Sequence, residues 1–420
     1  MSMSCRDYKL SRRALLGSAG ATFLGFNVRD LLAAAGKSHA PKAEHVILFW
    51  NGGGMSHIDT WDPKPGRPTQ GEFSAIETSA PGVQISEIFP KLARQMHHCG
   101  LIRSLVGTQG AHGRATYHLQ TGYDELPNLL VHPGFGSIVV HEFAKQGDLP
   151  AYVTVSGRAP RASYLGQSCE AYYVGTPGEK DPYLAFPKTI ASNRGNTRLD
   201  ALARVNDRFN AKKKNNNLDS TQTAIDDAVT LMRSPALKAF ELDHVPTATI
   251  NRYGDTTFGR GALLARQLVE TGVRFVQINR GGFDTHSNNF PTMRNHGEIM
   301  DPAMASLIED LAESGRLEKT LIIMLSEFGR TPRVNANAGR DHYPVVFSCF
   351  LAGGGVKGGS VIGSSDKDGL QPKDRPVQVP DLHATFCHAL GIDPTKEIMT
   401  PLQRTLKLVD NGKPVKELFA

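Results

Sequence analysis

Cysteine is scarce in this 420-residue sequence, which has five cysteines and no Cys-x-x-Cys pair. Zinc sites built from thiolates use closely spaced cysteines, so the sequence argues against a site of that kind. The cysteines beyond the amino-terminal segment lie far apart, and most are in apolar surroundings. We expect them to be buried free thiols, because a chain of this length can form a core without disulfides. They are Cys99, Cys169, Cys349 and Cys387.

The sequence also has no apolar stretch of the roughly 20 residues that a membrane-spanning helix needs. The run from Leu15 to Phe26 is shorter and contains three glycines. It follows Ser11-Arg12-Arg13, and paired arginines ahead of a weakly hydrophobic run are typical of a twin-arginine export signal. We therefore assign residues 1–40 to such a signal. The remaining chain is expected to have no stable membrane span and to be periplasmic or otherwise exported, with the twin-arginine export machinery as a partner.

The net charge of the chain is small once residues 1–40 are set aside. The formal net charge is +6, and the first 40 residues contain six basic and two acidic side chains, which leaves +2 for the rest. Such a small excess does not provide the positive field that nucleic-acid binding requires. We expect no nucleic-acid partner.

Apolar, β-rich runs alternate with helical patterns along the chain. The runs lie at 45–50, 101–105, 273–278, 321–325 and 345–351, and amphipathic helical patterns lie at 261–270 and 301–313. This order predicts an α/β fold with a mostly parallel central sheet and helices on both faces. Residues 41–420 are interpreted as one domain. Residues 195–250 are rich in Asn, Asp, Lys and Arg at helical spacing, and we predict a helical insertion or cap there.

Asp, Glu and His residues collect after three of the predicted strands. Because the carboxyl ends of parallel strands meet at one edge of a sheet, these side chains are expected to share a pocket. The expected set is Asp284, His286, Glu327, Asp341 and His342, together with His57 or Asp59.

The spacing of these residues suits metal ligation. Residues two apart on an extended segment point to the same side, so Asp284 and His286, or His57 and Asp59, are each placed to face one ion. Mixed carboxylate and imidazole ligands without thiolate suit divalent ions. We predict one or two ions of Zn, Mn, Mg or Ca.

Several motifs carry a resemblance to a known family. They lie at 53–65, at 253–254 with 264–272, at 283–286, at 327–332 and at 339–342, with a closing segment at 376–392. In these motifs the chain resembles the secreted family catalogued as domain of unknown function 1501, within the alkaline-phosphatase/sulfatase superfamily. The resemblance implies an alkaline-phosphatase/sulfatase-like fold and metal-dependent hydrolysis of phosphate or sulfate esters.

The chain departs from the superfamily pattern at two ligand positions. The superfamily has a metal-binding Asp directly after the first strand, where this sequence has Asn51-Gly52, so His57 or Asp59 would have to substitute. The Ser-Asp-His/Asn-Gly motif stands here as Ser326-Glu327-Phe328-Gly329, which keeps one carboxylate and has phenylalanine at the second ligand position.

The nucleophile position is the third departure from the superfamily pattern. The segment Leu119–Tyr123 resembles the end of the sulfatase motif, and counting back the same interval falls on His112, not on Cys or Ser. Formylglycine chemistry is therefore not expected. Ser104 is the best hydroxyl candidate, while His112 and His118 are candidates for ligand, general acid or base, or nucleophile. We favour a role for His112 as a metal ligand, or in orienting a metal-bound water, over direct attack of His112 on the ester, and we expect Ser104→Ala to cost less activity than His112→Ala.

Two functions of different class are consistent with these features. The first is an exported metal-dependent hydrolase of phosphate or sulfate esters, including esters on carbohydrate. The second is a catalytically degenerate, metal-stabilised protein that binds carbohydrate or a surface partner. For an anionic ester substrate, the guanidinium groups that could bind it are those of Arg103, Arg114, Arg330 and Arg340.

Overall fold

The computed structural model describes residues 42–125, 130–143, 145–180, 184, 192–212 and 216–420. Residues 1–40, assigned to an export signal, lie outside the described residues, so export stays a prediction. Within the described ranges, no helix has both the length and the apolar character needed to cross a membrane.

Short strands and helices alternate along the chain. The strands are β1 (His45–Asn51), β2 (Ala75–Glu77), β3 (Gln84–Ser86), β4 (Cys99–Val106), β5 (Tyr152–Val155), β6 (Tyr172–Val174), β7 (Phe275–Arg280), β8 (Thr320–Leu325), β9 (Gly329–Arg330), β10 (His342–Tyr343), β11 (Phe347–Ala352), β12 (Ser360–Ile362), β13 (Ser364–Ser365), β14 (Pro372–Asp374), β15 (Val377–Gln378), β16 (Glu397–Met399) and β17 (Thr405–Lys407). The helices are α1 (Pro90–Ala93), α2 (His112–Thr121), α3 (Phe135–Glu142), α4 (Ser192–Lys212), α5 (Asn216–Arg233), α6 (Thr247–Tyr253), α7 (Thr257–Glu270), α8 (Asn289–Glu313) and α9 (Val379–Leu390).

The central sheet is mostly parallel, which confirms the predicted fold class. Its strand order is β12-β4-β11-β8-β1-β7-β5-β6, and β15 also pairs with β4. The run from β8 through β1, β7 and β5 to β6 is parallel throughout. Strand β11 is antiparallel to both β4 and β8. The sequence analysis did not predict β5 and β6, because strands of four and three residues are too short to show a clear period.

The central strands are buried on both faces, which explains their near-continuous apolar sequence. In β1, Ile47 and Phe49 pack into one core cluster, whereas Leu48 and Trp50 pack into the other. Helices α7 and α8 cover the first face, and α3 and α9 cover the second. Removing this apolar surface from water is the main contribution to folding, at about 25 cal/mol per Å².

The two predicted helices exist, but both begin earlier than expected. Helix α7 starts at Thr257, where the Thr256 side chain caps it by accepting a hydrogen bond from the Gly259 backbone at 3.1 Å. Helix α8 starts at Asn289 and carries Pro302 in its interior. Proline lacks the amide donor of the helix ladder and is common at helix starts, so its position favoured a start near 301.

Two long helices, α4 and α5, occupy much of the segment predicted as a helical insertion or cap. Helix α5 packs against a short 3-10 turn at Gln167–Cys169. Its role as a cap stays a prediction. The prediction of free thiols is confirmed, because Cys99, Cys169, Cys349 and Cys387 are all buried and free.

Truncation of a central strand residue should destabilise the protein strongly. Ile322 in β8 is 0% exposed. We expect Ile322→Ala to lower the free energy of unfolding by about 2–5 kcal/mol, because it removes buried methyl groups and leaves a cavity. Leu402→Ala serves as the control, since that side chain is 55% exposed. Urea denaturation should show a loss near zero for the control, and equal losses in both variants would contradict the description of the core.

Candidate metal centre

The site lies where three neighbouring parallel strands end. Strand β1 lies between β7 and β8, with Asn51 opposite Arg280 and Trp50 opposite Leu325. The loops that follow these strands therefore start side by side. Asp284 comes from the loop after β7, and Glu327 follows β8 by two residues.

A glycine loop after β1 allows these segments to approach closely. Gly53 and Gly54 have φ values of 121° and 88°, in the region that favours glycine. A Cβ on Gly53 would lie 2.4 Å from the backbone nitrogen of Asp284. The amide of Gly53 also donates to Glu327 Oε1 at 2.8 Å. The glycines are therefore needed for the packing of the site.

Three imidazoles surround the carboxylate of Asp284. His112 Nε2 lies 3.3 Å from Oδ2, while His342 Nε2 and His286 Nε2 lie 3.2 and 3.1 Å from Oδ1. The ligand atoms of His112, Asp284 and His342 are all within 4.8 Å of one another. His286 Nε2 is also 3.0 Å from His342 Nε2.

The second nitrogen of each imidazole faces an oxygen. His112 Nδ1 is 2.8 Å from Glu327 Oε1, and His286 Nδ1 is 2.7 Å from Asp341 Oδ1. His342 Nδ1 is 2.8 Å from the carbonyl oxygen of Gly110. With the proton on Nδ1, each ring donates to this oxygen and keeps a lone pair on Nε2. Metal-binding histidines are held in this way by carboxylates and carbonyls.

The donor set fits a metal ion. His112 Nε2 is buried and makes no hydrogen bond to any described residue, so its lone pair is free for ligation. Nitrogen and oxygen ligands at about 2.0–2.1 Å from a tetrahedral Zn²⁺ are about 3.3 Å apart, close to the separations around Asp284. Imidazole-rich sites suit transition metals, whereas Ca²⁺ and Mg²⁺ prefer oxygen ligands.

Arg330 keeps Asp284 ionised. Its guanidinium is fully buried and forms a short ion pair with Asp284 Oδ1. Burial by itself would raise the pKa of Asp284, but the hydrogen bond and charge of Arg330, helped by His342 and His112, lower this pKa to about 2. The carboxylate is thus available as an anionic ligand at neutral pH.

Phe328 forms a wall behind two of the imidazoles. Its ring centroid lies 5.0 Å from that of His112 and 4.6 Å from that of His342. The phenylalanine at the second ligand position of the superfamily motif therefore packs against the rings that surround Asp284. Ser326 joins the same region to β1, since its Oγ donates to Asn51 O at 2.7 Å and accepts from the amide of Met55 at 2.9 Å.

Five of the predicted metal ligands thus come together, in two roles. Asp284, His286 and His342 face the centre, while Glu327 and Asp341 lie behind histidines. His57 does not contact this group. It is buried, its Nε2 lies 3.0 Å from Gly369 O, and burial lowers its pKa to about 4.

Asp59 and Arg340 form a buried ion pair instead of contributing to the centre. Both side chains are 0% exposed. Arg340 Nη2 donates to Asp59 Oδ1 at 3.0 Å, and Arg340 Nε lies 2.8 Å from Oδ2. Asn289 donates to the same Oδ2 at 2.9 Å. Because both oxygens are engaged inside the protein, we correct the assignments of Asp59 as a ligand and Arg340 as an anion clamp.

Ser104 and Arg103 also face the protein interior. Ser104 is 0% exposed, and its hydroxyl donates to Arg375 O at 2.6 Å. Arg103 donates to Trp61 O at 2.8 Å and lies 3.7 Å from Asp62. A buried hydroxyl with an internal acceptor is not placed to attack a substrate, so these two assignments are corrected as well.

The remaining predicted residues lie on α2, which begins at His112. His118 is mostly buried, with its Nδ1 3.4 Å from Asp124 and 3.3 Å from Thr108 Oγ1, and burial lowers its pKa. Arg114 is exposed in the first turn of the helix, two residues after His112. Of the four predicted anion-binding arginines, Arg114 is thus the one that is both exposed and next to a metal-facing residue.

The sequence did not indicate Gly110 or Asn335. Gly110 contributes only its carbonyl oxygen, and Asn335 donates to Asp341 Oδ1 at 3.2 Å. Every residue has a backbone carbonyl, so the residue type at position 110 gave no indication of this contact. Asn335 lies in a loop, where asparagine is usual for local turn geometry alone.

The family model described as "Protein of unknown function (DUF1501)" matches residues 43–419. The chain belongs to this family. The resemblance inferred from the motifs is thereby confirmed. No curated protein matches the sequence.

Solved structures similar to this member of the family share low sequence identity with it. They include a 2-O GAG sulfatase, with 10% identity, a TM-score of 0.43 and coverage of 90% of this chain and 74% of that chain. Ps i-CgsB in complex with k-i-k-neocarrahexaose has 12% identity, a TM-score of 0.42 and coverage of 84% and 72%. The lipoteichoic acid synthase LtaP from Listeria monocytogenes has 10% identity, a TM-score of 0.40 and coverage of 90% and 82%. At this level of similarity, chemistry is argued from the site itself.

Loss of Arg340 should reduce stability. Arg340→Met leaves the buried Asp59 without its counter-charge, and we expect the free energy of unfolding to fall by about 3–5 kcal/mol. The double variant Asp59→Asn/Arg340→Met should recover part of this loss, because the two effects are coupled. Urea denaturation of the four proteins in the cycle measures both terms. An Arg340→Met protein of unchanged stability would show that the arginine is not a structural group.

Proposed function

We propose that this protein is an exported, metal-dependent hydrolase of phosphate or sulfate esters. The observation that carries the proposal is the group of three imidazoles around Asp284, each held from behind by an oxygen. The paired arginines at 12 and 13 support export, and the family resemblance supports ester hydrolysis. A transition metal such as Zn²⁺ or Mn²⁺ is the best match to the donors.

The metal would be held by four side chains, those of His112, Asp284, His286 and His342. A divalent ion held there would supply hydroxide near neutral pH and would polarise the oxygen of an anionic ester. Glu327 and Asp341 accept from the rings of His112 and His286 and fix their orientation. Arg330 orients Asp284, and the exposed Arg114 is placed to contact the charged group of the substrate.

The first test is metal content. Purified protein reconstituted with Zn²⁺ or Mn²⁺ should contain one or two ions by elemental analysis, and removing them should lower the melting temperature. Stabilisation by a ligand at 100 times its dissociation constant is about 2.7 kcal/mol. His112→Ala and Asp284→Asn should reduce both the metal content and this shift in melting temperature.

His244→Ala is the matched control, because that histidine is 58% exposed and pairs only with Asp243 in the described ion pairs. It should retain the metal content of the unmodified protein. Absence of bound metal after reconstitution, or equal metal content in all the variants, would contradict the assignment of the site.

The second test is turnover on aryl phosphate, phosphodiester and sulfate substrates. The metal-loaded protein should hydrolyse at least one class, and Asp284→Asn should abolish the activity. We expect Ser104→Ala to keep most of the activity, because its hydroxyl is buried and bonded to Arg375 O. His112→Ala should lose at least about 100-fold in kcat/KM, equivalent to about 2.7 kcal/mol.

The ordering of these variants separates two mechanisms. Loss of all turnover in a Ser104→Ala protein that keeps its metal would indicate covalent catalysis through serine. Full metal binding without turnover on any substrate would favour a catalytically degenerate member that binds carbohydrate or a surface partner.

A further inference from the structure

A cavity of about 550 Å³ opens near the β6 edge of the central sheet. It lies against β5, β6 and the connection between them. Its lining includes Thr154, Arg158, Arg161, Glu170 and Tyr173. None of these residues contributes to the metal centre.

The cavity and the metal centre are carried by adjacent strands. Strand β5 is parallel to β7, with Val155 opposite Ile278, and β7 leads into the loop of Asp284. Asn279 of β7 donates from Nδ2 to Thr154 Oγ1 at 2.9 Å, which fixes the cavity floor to β7. Neighbouring strands are about 4.8 Å apart. The connection that carries Arg158 and the loop of Asp284 therefore follow the carboxyl ends of two neighbouring strands.

The cavity carries a positive charge that the protein does not neutralise. Arg158 and Arg161 are exposed, and neither guanidinium group forms an ion pair or hydrogen bond with any described residue, although the Arg161 carbonyl accepts from the Gly134 amide at 3.2 Å. Glu170 is the one carboxylate in the lining. Some exposed arginines elsewhere are paired with carboxylates, for example Arg375 with Glu417 at 3.1 Å. Two unpaired guanidinium groups facing one cavity are suited to bind sulfate, phosphate or carboxylate oxygens.

Tyr173 contributes a flat apolar surface to the lining of the same cavity. The side chain is 49% exposed, which is unusual for a large aromatic residue within a strand. Its partner in the register is Thr154, so it lies on the cavity side of the sheet. A tyrosine ring offers both an apolar face and a hydroxyl, which matches the alternating apolar and hydroxylated surface of a sugar ring.

The connection that carries both arginines adopts a constrained backbone. Ser156 and Ser163 have φ values of 58° and 52°, which is uncommon for residues other than glycine. Such conformations cost free energy and are often found in segments that hold a ligand.

We propose that this cavity binds a second anionic group of an oligosaccharide substrate whose ester is placed at the metal centre. The proposal rests on the proposed hydrolase function for its catalytic part. It assigns the substrate class as an anionic carbohydrate with at least two charged groups, one cleaved and one bound by Arg158 and Arg161. Sulfated sugars and uronic acids share the chemistry that the cavity would bind.

Binding can be tested without turnover. Full-length, metal-loaded protein is titrated calorimetrically with hexasaccharides of chondroitin sulfate, hyaluronan and cellulose, which carry sulfate and carboxylate, carboxylate alone, and no charge. The double variant Arg158→Ala/Arg161→Ala should bind the chondroitin sulfate hexasaccharide roughly 10- to 100-fold more weakly, as expected for lost charge-assisted hydrogen bonds. Tyr173→Ala should weaken binding by roughly 3- to 10-fold.

Arg198→Ala/Arg204→Ala is the matched control, because it removes two exposed arginines from α4 and changes the net charge equally. It should bind like the unmodified protein. Turnover of a small aryl ester should be the same in all variants, since such a substrate does not reach the cavity. A lower kcat/KM for the oligosaccharide ester alone is expected in the Arg158→Ala/Arg161→Ala protein.

The outcomes separate this proposal from the hydrolase function. If no ester is hydrolysed, the proposed hydrolase function is wrong. A loss of hexasaccharide binding that occurs only in the Arg158→Ala/Arg161→Ala protein would still support the cavity as an anion-binding site. Tighter binding of chondroitin sulfate than of hyaluronan would identify sulfate as the bound group. Equal binding of both would show that a carboxylate is sufficient for binding. Equal affinity of the cavity variant and the control for each hexasaccharide overturns the proposal, as does equally tight binding of a poly-glutamate peptide.

Discussion

The guanidinium of Arg330 joins the segments on which the site depends. It is fully buried and donates to Gly54 O and to Arg340 O, both at 3.0 Å, as well as to Gly53 O and Asp284. These partners belong to loops that follow β1, β7 and β9. A buried guanidinium needs an acceptor for its donors, and these oxygens provide them. One cation therefore sets the separation of the loops and the position of the carboxylate that faces the imidazoles.

The acidic residues near the site divide into three structural roles. Asp59 neutralises Arg340 inside the protein, while Asp284 faces outward and is half exposed, with 48% of its side chain accessible. Glu327 and Asp341 orient histidines. Asp59 and Asp284 differ in role because a fully buried carboxylate requires a positive charge beside it. A partly exposed carboxylate can also bind an ion.

The group of side chains around Asp284 differs in composition from the superfamily pattern that its motifs suggest. Asn51 stands where a metal-binding aspartate is expected, and Phe328 stands at another ligand position. His112, from the start of α2, is placed against Asp284 and packs on Phe328. The phenylalanine ring thus forms the wall against which the additional imidazole rests.

The sequence by itself determined the fold class and the edge of the sheet at which the chemistry lies. Near-continuous apolar strands must be covered on both faces, and parallel strands bring their carboxyl ends together, so Asp284, Glu327 and His342 could be placed without coordinates. Only the tertiary structure decided which members of similar motifs face the centre. His57 and Asp59 have the same two-residue spacing as His286 and Asp284, yet Asp59 is neutralised by Arg340, 281 residues away in sequence. That choice depends on which charges the fold buries, and burial of a charge is a property of packing between distant segments that local spacing does not encode.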